Sequence, residues 1–214
     1  VPGTTTESSP WTFAVAGKAY QNGEHSIAWS TQGENSNPSS VFKYTGGLGV
    51  WKGAEYTACK YTGSAELVAG YAGDWISMAF PAPLVLASYQ FGGSANPERL
   101  PKKYKIYARN GNETAWTVLA DFSETGVDSS AATSQVALLH ATGFSHYALV
   151  VSELQGGGTE CHALTLERWI LNGYETSGGC MRYLTRGKMV DVLTRVAPYI
   201  VAMPGYTRAF DASG

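Results

Sequence analysis

The chain has 214 residues, a formal net charge of −2, 44% hydrophobic residues and only 15% charged ones. That apolar share excludes a disordered chain, and the length allows one domain with a real core plus extensions. There is no basic tract or Lys/Arg stripe, which excludes non-specific nucleic-acid binding because that needs many phosphate-neutralising cations. No apolar run reaches the roughly 20 residues needed to cross a bilayer. The best ones, residues 79–87 and 196–203, are broken by Pro81, Pro83 and Pro198. Charge is below the globular average of about 25%, and Tyr, Ser, Thr and Gly take its place. Such a profile suits an extracellular or particle-borne β protein.

The opening VPGTTTESSP is rich in Thr, Ser, Pro and Gly and reads as an arm or linker. It lacks the charged and apolar regions of a signal peptide and is compatible with a terminus left by processing. From Trp11 short β-type runs follow, residues 11–15 and then 26–30. Between them and the next run lies TQGENSNPSS, residues 31–40, a polar stretch of turn formers. Residues 75–80 (WISMAF) read as a strand with partial alternation. Pro81 and Pro83 cannot sit in a central ladder, so they mark a turn before a strand over 84–91. Residues 104–109 and 116–119 alternate clearly, joined by a hairpin-like loop that carries the pair Asn110-Gly111. Residues 134–139, 147–152 and 163–171 complete the set. Many short strands between turn signals predict an all-β fold, an antiparallel sandwich or jelly roll.

Beyond TSGGC (176–180) the pattern changes. Met189, Val190, Leu193, Val196 and Ala197 fit a helical face, while Val190, Val192 and Val196 fit one face of a strand. Either way the tail carries apolar groups that need a partner surface. The chain is therefore divided into an N-terminal arm and lead-in strand (1–22), a sandwich (23–175) and a C-terminal extension (176–214). The three cysteines, Cys59, Cys161 and Cys180, have no CxxC spacing. They read first as buried thiols and second as one disulfide, Cys161–Cys180, with an odd thiol left over.

Four units in this order resemble the discoidin-like family, the coagulation-factor C-type and galactose-binding-like domains. They are NPSSVFKYTGGLGVW (37–51), YAGDWISMAFPAPLVLASYQF (71–91), LPKKYKIYARNGNETAWTVLADFSETG (100–126) and FSHYALVVSELQGGGTECHALTLERWILNG (144–173). The resemblance implies an eight-stranded jelly roll with ligand loops at one end, binding glycans, lipids or proteins without catalysis. It is also similar to versions in phage fibres and viral structural proteins. Many glycan-binding members hold a structural calcium through an Asp-Gly pair before the Trp. Here the matching place reads Lys43-Tyr44-Thr45-Gly46-Gly47, and a Lys is a poor neighbour for a cation that wants several oxygens. No cofactor is therefore expected.

Sites of chemistry are sparse. His25, His140, His146 and His162 lack metal-ligand spacing. There is no GxSxG elbow, and Ser145-His146 adjacency does not make a triad. Nothing in the sequence pairs the carboxylates Glu34, Asp74, Glu160 and Glu167. Gly156-Gly157-Gly158 lacks the Lys-Ser/Thr of a phosphate loop. Aromatics suit sugar contact because they join apolar area to a polar tip. Trp51, Trp75 and Trp116 fall where the family buries them. Trp29, Tyr56 and Tyr61, near the early loops, are ligand candidates, together with Glu34, Asn35 and Asn37 of the polar loop. Asn112-Glu113-Thr114 is a sequon, a glycosylation site in a eukaryotic secreted chain.

These readings point to a binding or adhesion module for a glycan or surface partner, outside the cell or on a virion. The competing expectation is a structural subunit of a particle, fibre or filament, self-assembling through its terminal extensions.

Overall fold

Alternating burial along strands organises the computed structural model of the chain. It describes residues 2–7, 13–15, 18–19, 25–42, 50–53, 55–92, 96–126, 135–137, 142–156 and 161–175. In chain order the strands are β1 (Gly3–Glu7), β2 (Phe13–Val15), β3 (Lys18–Ala19), β4 (His25–Trp29), β5 (Trp51–Gly53), β6 (Tyr56–Thr57), β7 (Lys60–Tyr61) and β8 (Glu66–Val68). They continue with β9 (Tyr71–Ala72), β10 (Asp74–Gly92), β11 (Pro101–Arg109), β12 (Thr117–Asp121), β13 (Gln135–Ala137), β14 (Phe144–Leu154), β15 (Leu164–Leu166) and β16 (Arg168–Glu175). Two short 3-10 turns, Pro38–Phe42 and Pro97–Arg99, are the only helical pieces among the described residues.

β10 is one strand of 19 residues that serves two sheets. Its first part pairs with β14 on one side and β4 on the other. Its second part pairs with β16 and β13. Adding β11, β12 and β1 gives a first sheet ordered β12-β11-β14-β10-β4-β1. The second is ordered β13-β10-β16-β2-β3, in which β2 lies parallel to β16 and the other pairings are antiparallel. In place of the expected turn at Pro81 and Pro83, the strand bends without ending. The ladder to β14 lapses between Ala79 and Leu84, since a proline has no N–H to give. Pro81, Ala82 and Pro83 are exposed there.

The two sheets face each other. Ile76, Met78 and Phe80 point inward while Trp75, Ser77 and Ala79 alternate outward. The Phe91 ring of the second sheet meets Tyr104 of the first at 5.1 Å, and the Tyr89 and Tyr104 hydroxyls bond each other at 3.0 Å. Trp51 and Trp169 are fully buried, and Phe42 tilts against Trp169 at 5.6 Å. Each such side chain contributes roughly 1.5–3 kcal/mol by leaving water. The Tyr147 hydroxyl donates to the Leu84 carbonyl, so the hydroxyls of these three core tyrosines are matched.

Register fixes which loops share an end. Leu84 pairs with both Phe144 and Glu175, and Ser26 pairs with Ala79. The described chain thus enters the sandwich body at β4 and leaves β16 beside the β10 bend. Asp74 pairs with Val151, which pairs with Tyr104, the partner of the Phe91 ring. β10 therefore starts at the opposite end and returns toward it.

Several expectations change. Within the stretch read as an arm, Gly3–Glu7 forms a ladder with β4, and Gly3 lies on the Trp29 indole, where a Cβ would stand 2.4 Å from the ring. The Asn110-Gly111 pair does not make a left-handed two-residue hairpin. Glu113 N donates to Asn110 O at 3.0 Å, and neither Asn110 nor Gly111 has a positive φ. Asn112 is exposed on that turn. The chain divides into units Val1–Thr176 and Ser177–Gly214; the tail and Cys180 lie outside the described residues.

The cysteine reading is also corrected. Cys161 bonds Cys59, not Cys180, with Cα atoms 4.7 Å apart. The β6–β7 hairpin and the lead-in to β15 meet at the loop end, with Cys59 N donating to Cys161 O at 3.2 Å. A bridge across a sequence separation of 102 removes about 4–5 kcal/mol of unfolded-chain entropy in the loop-closure model. Peptide mapping without reductant is expected to recover a Cys59–Cys161 linked pair. Changing both to Ser is expected to lower unfolding free energy by roughly 2–5 kcal/mol, read by urea titration.

Candidate functional site

The end away from the β10 bend carries the loop after β4, the β5–β6 and β6–β7 connections, residues 62–65, and the segments around 96–100, 155–156 and 161–163. Two of these loops are built firmly enough to present side chains.

The first is residues 31–37. It runs back along β5 like an extra strand: Gly33 N donates to Lys52 O and Asn37 N to Val50 O, each at 2.9 Å. Lys52 N donates to Ser36 Oγ at 2.9 Å, and Gln32 Nε2 to Ser36 O at 2.7 Å. Trp51 Nε1 donates to Thr31 O at 2.9 Å, tying the loop to the core. Glu34 and Asn35 form the exposed tip, and Asn35 has φ +53°, a region that Asn tolerates better than most residues. Asn37 is exposed too, but its Oδ1 accepts from Ser39 Oγ and its carbonyl from Ser40, so it also caps the 3-10 turn.

The second is the β6–β7 hairpin. Its two tip residues, Ala58 (φ +47°) and Cys59 (φ +68°), both sit in the left-handed region. Asn-Gly usually supplies that turn. Here the disulfide and the Leu154 N to Cys59 O bond of 2.8 Å hold it. Tyr56 and Tyr61 pair across the hairpin, rings edge-on at 5.5 Å. Tyr61 is half-buried. Its hydroxyl donates to Glu55 Oε2 at 3.4 Å and accepts from Ala65 N at 3.2 Å. Gly63 makes this possible: a Cβ there would stand 1.6 Å from Glu55 Oε2 and 2.4 Å from the Tyr61 hydroxyl. Burial, chiefly, pushes the Tyr61 phenol up to about 12, with nearby carboxylates adding to it, so it stays a neutral donor.

Asp74 lies beneath both loops, wholly buried. Its Oδ1 accepts from Ser30 Oγ at 2.9 Å and Thr31 Oγ1 at 2.5 Å. Its Oδ2 faces Gly53, where a Cβ would be 2.0 Å away, and has no hydrogen-bond partner among the described residues. Burial raises the Asp74 carboxyl above the ordinary carboxylate range, against the pull of the two hydroxyl bonds, and Glu55 adds like charge.

The structure thus places all six sequence candidates at this end and divides them. Glu34, Asn35, Asn37 and Tyr61 are reachable from solvent. Trp29, at 9% exposure, and Tyr56, at 4%, are core residues instead. Trp29 is covered by Gly3, and the Tyr56 hydroxyl donates inward to Val151 O at 3.0 Å. Glu55 and Gly63 were missed by sequence reading; the Gly after the aromatic hairpin is the signal that marks them. Trp51 is buried as expected, but Trp75 and Trp116 are half-buried on the outer face of the first sheet, around Tyr107, Ala148 and Val150. Arg109 covers the Trp116 ring at 5.0 Å.

The calcium position implied by the resemblance, residues 43–47, lies outside the described residues, as do His140 and Glu160. Among the described residues no group of three or more His, Cys, Asp or Glu side chains comes together to hold a metal ion.

No protein-family model and no curated protein matches the chain. Solved structures of the kind the four sequence units resemble are similar to it. One is chitosan-binding module 1 of a chitosanase/glucanase from Paenibacillus sp. IK-5, 16% identical, covering 68% of this chain and 92% of that chain with a TM-score of 0.47. Another is the family 32 carbohydrate-binding module of C. perfringens NanJ in complex with galactose, 9% identical, covering 69% and 92% with a TM-score of 0.49. A third is an F5/8 type C domain from Bacteroides fragilis, 12% identical, covering 71% and 91% with a TM-score of 0.46.

The division between core and surface aromatics is testable. Tyr61→Ala is expected to shift the thermal midpoint by only a few degrees. Trp29→Ala, which opens a cavity under β1, is expected to cost roughly 3–5 kcal/mol in chemical denaturation.

Proposed function

We propose that the chain is a non-catalytic carbohydrate-binding module that takes a glycan at the loop-bearing end. The observation that carries this is the Glu55–Tyr61–Gly63 shelf beside the 31–37 loop. A half-exposed aromatic ring there is pinned through its hydroxyl, with a carboxylate against it and Glu34 and Asn35 exposed on the neighbouring loop.

An aromatic face packs on the C–H patches of a pyranose, while carboxylate and amide oxygens accept from its hydroxyls. Tyr61 is the stacking residue in this reading, and Glu34, Glu55, Asn35 and Asn37 are the polar contacts. Held by the ladder to β5, the disulfide and Gly63, the site loses little entropy on binding. It is cut from loops on a rigid sandwich, where binding residues concentrate. The Cys59–Cys161 bridge supports an oxidising, extracellular setting. Among the described residues no helix is long and apolar enough to cross a membrane.

Galactose and a chitosan oligosaccharide, ligands named for two of the similar structures, are the first probes, followed by a broad glycan array. Calorimetry is expected to give saturable binding of at least one class, weakened tenfold or more by Tyr61→Ala and severalfold by Glu55→Gln. Silence across the array would contradict the proposal, as would binding indifferent to both changes.

A further inference from the structure

We infer that Asp74 is the positioning residue of the 32–37 loop: its buried carboxylate holds Thr31 at the loop's root, and the hold weakens when that carboxylate takes up a proton. The functional meaning rests on the glycan-binding reading of that loop, but the latch is a property of the free chain.

Three observations meet at this carboxylate. First, one oxygen does all the holding. Oδ1 accepts both the Ser30 and the Thr31 hydroxyl. Ser30 Oγ in turn accepts from Trp75 N at 2.8 Å, so the β4 exit and the β10 start are tied through it. Thr31 then passes the constraint outward, since its carbonyl receives the Trp51 indole N–H and the next residues ladder onto β5. Second, Oδ2 is buried against Gly53 without a hydrogen-bond partner among the described residues. A buried carboxylate oxygen with no donor leaves part of its desolvation cost uncompensated. A purely structural residue at this place has no need of that charge; an Asn would offer the same Oδ1. Third, the titratable groups that face Asp74 do not relieve it. Glu55, between β5 and β6, adds negative charge, and Tyr56 on β6 and Tyr61 on β7 are neutral phenols whose own ionisation Asp74 opposes. From the segment just after β4 come the two hydroxyls of Ser30 and Thr31, and from β5 only Gly53.

Hydroxyl bonds to an ionised carboxylate are about twice as strong as those to a neutral one. Protonation therefore loosens Thr31, and with it the loop. The effect on global stability has the opposite sign. Because the folded chain raises the carboxyl above its unfolded value, proton uptake favours the folded state. Asp74's own contribution grows as pH falls from above its raised value to the ordinary Asp range. A loop that loosens at a group whose own protonation favours the fold separates this latch from general acid unfolding, which comes from groups held low in the folded chain, such as His146, Glu113 and Glu153. Asp121, held down at about 2 by its bonds to Ser123 and Lys105, titrates below that window.

The test uses the full isotope-labelled chain without ligand. The Trp51 indole N–H signal is followed from neutral pH down to the ordinary carboxylate range. It is expected to move with one midpoint above the usual Asp value of about 3.9. On the acid side the Gly33 and Asn37 amides are expected to exchange roughly five- to tenfold faster after correction for intrinsic rates, while the thermal midpoint falls no further across that step than it does in Asp74→Asn. In Asp74→Asn the indole signal is expected to rest at the acid position at every pH. Thr31→Val is expected to move the midpoint upward, and Thr31→Ser to restore it. An indole signal flat through the range would overturn the inference. So would one that still titrates in Asp74→Asn. Neither outcome depends on whether a glycan binds.

Discussion

The described sandwich is organised by β10, a single piece of backbone shared by both sheets. A strand that leaves one sheet and enters the other without a break fixes their separation, their registers and their common ends at once. The bend falls at Pro81 to Pro83, where missing N–H groups already interrupt the ladder to β14. Its cost is low there because the bend is exposed. Since both halves of β10 reach the same far end, the loops that start and finish on its neighbours gather there. The inner faces fill with Trp51, Trp169, Tyr89, Tyr104 and Tyr147. The Tyr89–Tyr104 hydroxyl pair then locks the sheets in register.

At the loop end the same economy recurs on a smaller scale. Asp74 is the first residue of β10 and the anchor of the 31–37 loop. Gly53 gives its carboxylate room, Gly63 gives Glu55 and Tyr61 room, and the disulfide holds a hairpin tip with two positive φ angles. Each device removes freedom from a surface loop that would otherwise move. Such pre-ordering suits the proposed glycan site, because the entropy of fixing loops would otherwise oppose binding.

The regular strands were legible in the sequence because one face of each is buried. Alternation marks residues 75–80 and 104–109, while 147–152, buried on both faces through Val151, reads only as a short apolar run; all three lie in the central strands of the first sheet. The stretch from 51 to 72 was not legible, because strands of two or three residues carry no measurable period. Trp29 and Tyr56 were misplaced because nearness to a loop in sequence says little about direction; a strand end points inward as readily as out. The cysteine pairing failed for a related reason. Closing a long loop costs only slowly more than closing a short one, so sequence distance did not favour Cys180 over Cys59. Asp74 was visible only as an isolated acid. Its role comes from Ser30 and Thr31, just past the end of β4, and from Gly53 of β5, which the fold brings to it.

The central proposal is that the chain takes its ligand at the loop-bearing end. It is tested most directly by mapping amide and indole signals of the whole chain while galactose or a chitosan oligosaccharide is added. The account predicts saturable shifts confined to residues 31–37 and 55–65. Shifts centred on the outer face around Tyr107 and Trp116, or at the exposed bend of Pro81 and Pro83, would contradict it.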